Sequence, residues 1–311
     1  LGGVHRSTGT RADQGEAAGA RDARRPSLRE LGLHLSPTGR HLSIATDDER
    51  VERYVRTSYA LAHVPSVPAS ADRAVIVTAT RPATVTFNGD PMPRPKSAAP
   101  SDPLNSGVYL VDQFLWRSLA RDDTWLSIYG CAVALHGRTV VLVGPSGTGK
   151  TTLALALRRY GGCLYGDEMT VVHRRDATAT AIGRRLAVRE RSLALLGDER
   201  LSAVVRAGER YADGTGDTYY VCRRVLDAKV GTAPPLPLGA LVVLRRGDGA
   251  TRLRTLSKAH AALAAAPYLG SRPGDLSEVG ALGALLRDAA AFELSVADPH
   301  PGAALIAATV A

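Results

Sequence analysis

Residues Gly144-Pro145-Ser146-Gly147-Thr148-Gly149-Lys150-Thr151 complete the pattern G-x-x-x-x-G-K-[ST], and no other stretch of the chain restricts its fold as tightly. A continuous apolar run over 139–143 precedes the pattern, and Thr152 opens a helix-like stretch over 152–160. Buried strand, glycine-rich turn and helix in that order predict an α/β fold. The glycines let successive backbone N–H groups wrap a polyphosphate, and the following helix N-terminus adds a dipole of the right sign. Residues 144–152 are therefore the candidate nucleotide-binding loop, with Lys150 reaching the β- and γ-phosphates and the Thr151 hydroxyl ligating Mg²⁺. The competing reading, an ordinary Gly-rich turn between strand and helix, does not account for the whole pattern in this context.

The loop is shared by kinases, GTPases, transport ATPases and motors, so the residues after it narrow the choice. Gly161-Gly162 signals the end of the helix. Residues 163–166 then read as a short strand ending in Asp167-Glu168, and 169–173 as a second β-prone run. An acidic pair at a strand end beside the phosphate loop can hold Mg²⁺ and take a proton from an attacking hydroxyl. Thr151 and Asp167 are the candidate metal ligands, and Lys150, Asp167 and Glu168 the candidate catalytic residues. The plainer reading of Asp167-Glu168 is a solvated turn. No N-K-x-D base-reading motif of a GTPase is present.

At this point the chain resembles the HPr kinase/phosphorylase superfamily, especially its smaller HPr-kinase-related serine kinases. The match runs without a gap from Ser127 to Val172 and includes TVVLVGPSGTGKTTLALALRRYGGCLYGDEMTVV. A second match is residues 234–246, with a Pro-Leu-Gly strand at 237–239. The resemblance covers roughly residues 124 to 300. It implies a P-loop kinase core of the HPr kinase C-terminal domain type, a mixed sheet with flanking helices. It also implies Asp167 as general base toward a serine hydroxyl, with Glu168 where the family usually has a second Asp. Tyr129 stands where the family often has an active-site His, which counts against phosphorylase activity. The Glu- and Arg-containing signature of the bifunctional members is not recognisable. Its place, 184–192, offers Arg185, Arg189, Glu190 and Arg191, any of which could clamp a phosphate or simply face water. The bifunctional relatives are hexamers, so a homo-oligomer stays open.

The remaining chain supplies a smaller α+β N-terminal region over 31–123, ahead of the kinase-like domain at 124–311. In it, 41–46 is a short apolar run, Asp47 is placed to cap a helix over 48–62, and 74–80 and 83–88 are β-rich and close enough to pair. Residues 91–103 hold five prolines and read as an exposed loop or linker, before a helix over 108–120. Residues 1–30, rich in Arg, Gly, Ala and Asp, are expected to be a disordered basic N-terminus. In the C-terminal part, 213–217 is a Gly-rich segment, read as a hairpin turn rather than a lid, and Arg223 and Arg224 are expected to face water. Helices are expected over 257–266 and 276–287.

The formal net charge is +9, which raises a nucleic-acid partner. Only four of the 39 basic residues are lysines (Lys96, Lys150, Lys229 and Lys258), and no Lys-rich tract interleaves with aromatics. Most arginines then read as compositional background, and nucleic-acid binding loses ground. No apolar run approaches the roughly 20 residues that span a bilayer. The three cysteines show no metal-ligand spacing, so a cytoplasmic protein with reduced thiols is expected. The function expected is ATP-dependent transfer of a phosphoryl group to a serine of a protein or peptide, such as a carrier protein or a natural-product precursor of the lasso-peptide kind. A kinase of a small hydroxylated metabolite, a nucleotide-dependent regulator or ATPase, and a nucleic-acid module are the alternatives.

Overall fold

The computed structural model describes residues 27–60, 62–77, 84–91, 103–213, 216–226, 234–247, 249–270 and 276–310. Residues 1–26 of the expected disordered N-terminus and residues 92–102 of the proline-rich stretch lie outside them, but Arg29 and Glu30, expected to be disordered, open a strand because they pair with Thr46 and Ala45. The chain is of the α/β class, with mixed sheets and flanking helices.

The N-terminal part builds a six-stranded sheet. Its central strands Arg29–Leu35 and Arg40–Thr46 pair antiparallel, and Arg40–Thr46 then pairs parallel with Asp72–Val77. A parallel pair needs a crossover, and the helix Glu49–Ser58 supplies it. Its cap is Asp48 rather than Asp47. Asp48 is extended, with φ −103° and ψ 118°, and its carboxylate accepts from the Arg50 N–H. The helix also stops short of residue 62, at Ser58 with Tyr59 as C-cap. The strands Asp72–Val77 and Thr84–Phe87 pair antiparallel as expected. The helix Pro103–Leu119 buries Val111, Phe114, Leu115 and Leu119 against this sheet, a spacing of three and four residues along one face. The same core takes in Met169, Val171 and Ile182, so the N-terminal region packs on the residues that follow Asp167-Glu168.

The second sheet has eight strands. The loop-bearing strand Arg138–Val143 lies between Trp125–Leu135, antiparallel, and Leu236–Arg246, parallel. Leu236–Arg246 in turn pairs parallel with Ala290–Val296. The long strand Trp125–Leu135 changes partners along its length. Its first half pairs with Met169–His173, and its second half with Arg138–Val143 and Cys163–Gly166. Because Thr178–Ala181 pairs with both Met169–His173 and Leu236–Arg246, five strands close a circuit. Helix Lys150–Leu157 is apolar almost all round and nearly wholly buried, as a helix in the middle of a core must be. It packs against the C-terminal helix Pro299–Val310. Strands Leu186–Arg189, Gly216–Val221 and Glu209–Asp213 form a third, antiparallel sheet, in which Asp213 pairs with Gly216, and the middle of the expected turn at 213–217 lies outside the described residues. The helices Lys258–Ala265, capped by Ser257, and Leu276–Leu285 lie where sequence periodicity puts them. No described helix is long and apolar enough to cross a membrane.

Candidate functional site

Parallel strands set ligands at their carboxyl ends, and here those of Arg138–Val143, Leu236–Arg246 and Ala290–Val296 open on one cleft of about 350 Å³. The loop at residues 144–149 forms its floor. Gly149 caps the following helix with φ +95°, a conformation that costs a side-chain-bearing residue energy. Gly144 is required for a different reason: a Cβ there would lie 2.8 Å from the Leu244 carbonyl oxygen of the neighbouring strand. Gly144→Ala is expected to displace the loop and weaken nucleotide binding at least tenfold while the protein still folds. Calorimetric titration with ATP, alongside a melting curve, checks this.

Lys150 is buried, and its ammonium donates to the carbonyls of Gly144 at 2.8 Å and Pro145 at 3.2 Å, which folds the side chain back over the loop. Burial pulls its pKa down, and the nearby Asp167 charge works against that shift. The ammonium also lies 5.2 Å from the centre of the Tyr129 ring, within cation–π range. Thr151 Oγ1 donates to Asp167 Oδ2 at 2.5 Å. Asp167 is only 6 % exposed, and its second oxygen accepts from the Glu168 N–H at 3.0 Å. Burial raises the Asp167 pKa, while the Thr151 hydrogen bond and the charges of Lys150 and Arg184 pull it back. Thr152 Oγ1 hydrogen-bonds Ser192 Oγ at 2.8 Å, which ties the loop helix to the start of helix Glu190–Leu196.

Glu168 adopts φ +68°, the left-handed region that non-glycine residues rarely occupy. Its carboxylate is ion-paired with Arg184 and accepts from the Tyr129 hydroxyl at 3.4 Å. Burial, followed by the Asp167 charge, raises the Tyr129 pKa and keeps that hydroxyl a donor.

Of the four residues expected near 184–192, two face the cleft. A Cβ on Gly147 would lie 3.4 Å from Arg191 Nη2 and 4.0 Å from Arg189 Nη1, so both guanidiniums stand over the loop. Neither makes an ion pair among the described residues. Arg246 joins them at the far wall with Gly247, Val296 and Ala297. The other two are engaged elsewhere: Arg185 pairs with Glu209 at 2.5 Å and stacks on Tyr220 at 4.1 Å, and Glu190 pairs with Arg206. Arg223 does not face water as expected. It is 4 % exposed, its Nε has no partner among the described residues, and burial pulls its pKa down to about 10. Arg224 is exposed.

Sequence reasoning missed Asp112, Tyr54 and Tyr59, which stand behind Glu168 through Arg184. It also read Arg184 as compositional background. Nothing local marks these residues, because the contacts that join them cross the whole chain.

The residues present suit Mg²⁺. Thr151 and Asp167 offer hard oxygen donors at hydrogen-bond distance, and a buried carboxylate gains from a nearby cation. No group of three or more His, Cys, Asp or Glu gathers among the described residues. No protein-family model matches the chain, and no curated protein matches it.

Proposed function

We propose that the chain is an ATP-dependent serine kinase with an HPr-kinase-like P-loop core, acting on a hydroxyl carried by a protein or peptide. The observation that carries this reading is the Thr151–Asp167 hydrogen bond, which puts a buried carboxylate directly against the phosphate loop. In the reading, the loop N–H groups and Lys150 bind the β- and γ-phosphates. Thr151 and Asp167 would hold Mg²⁺, which supplies charge neutralisation between the phosphates. Arg189 and Arg191, which make no ion pair among the described residues, add two positive charges over the loop, where charge gathers on the transferring group.

Asp167 takes the acceptor proton. A serine hydroxyl hardly ionises near neutral pH, so the base acts as transfer proceeds. Asp167 suits this role because its carboxylate is fixed against the phosphate loop, between the Thr151 hydroxyl and the Glu168 N–H. The oxygen of the acceptor forms its bond to the γ-phosphorus as the bond to the β–γ bridging oxygen breaks, and ADP leaves with that electron pair. A cleft of about 350 Å³ sits at the small end of ligand pockets, roughly 300–1,000 Å³, so a nucleoside triphosphate fills most of it. The acceptor then approaches at the open mouth, a geometry that favours a hydroxyl on a flexible chain over an enclosed metabolite.

The test is transfer of label from γ-labelled ATP to candidate acceptors. Labelled protein or peptide supports the reading. A labelled small molecule moves the acceptor class, and free phosphate alone would leave an ATPase. Arg189→Ala and Arg191→Ala are each expected to raise the KM for ATP about tenfold, in line with one lost charge-assisted contact of ~1.5 kcal/mol. Steady-state kinetics checks this, and unchanged constants in both variants would remove the two arginines from the site.

A further inference from the structure

Behind Glu168, on the side away from the cleft, one guanidinium is shared by two carboxylates. Arg184 is ion-paired with Glu168 through Nη1, and through Nη2 it bonds Asp112 Oδ2 at 2.6 Å and the Tyr54 hydroxyl at 2.9 Å. Asp112 is fixed in turn. The Tyr59 hydroxyl donates to Asp112 Oδ1 at 2.5 Å, and the Tyr54 hydroxyl approaches the same carboxylate at 3.1 and 3.2 Å. Burial works against the Arg184 charge, but Asp112, with Tyr59 and Tyr54, outweighs it and holds the pKa well above the ordinary arginine value. The guanidinium therefore stays charged. Tyr54, Tyr59 and Asp112 all belong to the N-terminal helices or their caps, whereas Glu168 lines the cleft.

The backbone reinforces the link. The Arg185 N–H donates to the Ser58 carbonyl at 2.7 Å, and Met169 and Ile182 are buried in the N-terminal core. Glu168 needs such support, because its left-handed φ persists only where the surroundings fix it.

We propose that Arg184 is a positioning residue for Glu168, and that through Arg184 and Asp112 the N-terminal helices are a working part of the phosphoryl-transfer site. The inference rests on the kinase reading and adds a regulatory consequence. A ligand or partner that displaces Asp112 changes turnover without touching the nucleotide.

The test is a double-mutant cycle with Arg184→Lys and Glu168→Ala, read on kcat, on the KM for ATP and on the dissociation constant for Mg²⁺-ATP. Substitutions of a residue that holds a site residue in place typically cost ~10–100-fold in activity or metal affinity. Arg184→Lys is expected to lower kcat by about that much with KM changed less than about threefold. It is expected to add less than about twofold once Glu168 is Ala, since the partner it positions is gone. Asp112→Asn and the milder Tyr59→Phe are expected to fall in the same order, with Tyr59→Phe the smaller, and melting curves confirm that each variant folds. Effects of Arg184→Lys and Glu168→Ala that multiply independently would overturn the inference, as would wild-type kcat in both Arg184→Lys and Asp112→Asn. If the wild-type protein turns ATP over to free phosphate only, the kinase reading fails and the cycle is decided on the rate of phosphate release, whereas binding without any turnover overturns both. If the protein binds no nucleotide, both fail together.

Discussion

Lys150→Ala is expected to abolish measurable phosphoryl transfer. The ammonium is the one cation buried in the loop itself, held over it by the Gly144 and Pro145 carbonyls. A triphosphate bound as proposed would take over those hydrogen bonds and exchange two neutral acceptors for charged ones. Charge-assisted hydrogen bonds contribute ~1.5–3 kcal/mol each, so ATP affinity falls by about 10–100-fold. Loss of a preorganised donor to the transferring group costs a further ~10²–10³ in turnover. Titration of the variant with ATP and a single-turnover assay with γ-labelled ATP separate the two losses. Transfer at the wild-type rate would remove Lys150 from the mechanism and leave the loop as a structural turn. The Lys150→Arg variant sharpens the result. It keeps the charge but carries a wide planar head, which the space beneath the Tyr129 ring does not suit.

Asp167→Asn is expected to divide binding from chemistry. The substitution keeps an acceptor for Thr151 Oγ1 and leaves the loop intact, so ATP binding persists. It removes the proposed base, and general-base catalysis is worth roughly 10²–10⁴-fold. Full transfer by the variant would sink the assignment of Asp167 as proton acceptor. A second signature lies in stability without ligand. Burial raises the Asp167 pKa in the folded chain. The stability associated with the protonated carboxyl is therefore complete below the unfolded pKa and lost as pH climbs through the raised folded value. Asparagine carries no such loss. The variant is expected to melt higher than the wild type near neutral pH, with the difference shrinking toward acid. A variant that melts lower at neutral pH would show that the Thr151 bond and the Lys150 charge outweigh burial.

What was legible in the amino-acid order was what it writes contiguously. Strand, glycine-rich loop and helix lie in one run of residues, and both the α/β class and the candidate phosphate loop follow from that run. The nearby Asp167 was legible for the same reason, because only a helix and a short strand separate it from Lys150. Small choices between equal neighbours were not legible. Asp47 and Asp48 are both suitable caps, and only the backbone angles at 48 select between them. Long-range pairings were not legible either. Asp112 and Arg184 are 72 residues apart, and each read alone is an ordinary surface charge. Arg223 is the converse case. A charged pair at 223–224 predicts exposure, yet packing against Gly166 draws the first arginine inside and leaves the second out. The closure of five strands into a circuit rests on two paired residues on each side, Thr178–Pro237 and Ala179–Leu236, too small a signal for any periodicity to carry.

The strand that carries the loop has hydrogen-bonded neighbours on both sides, and the helix that leaves the loop is buried almost whole. Amide hydrogens on either side of residues 144–149 should therefore exchange with solvent only through the rarest, most global openings. The two-residue edge strands His63–Val64 and Asp90–Pro91 should exchange early. A nucleotide bound as proposed would exchange against a frame that does not open with it. The slowest-exchanging amides of the protein should then be those closest in sequence to the proposed nucleotide site.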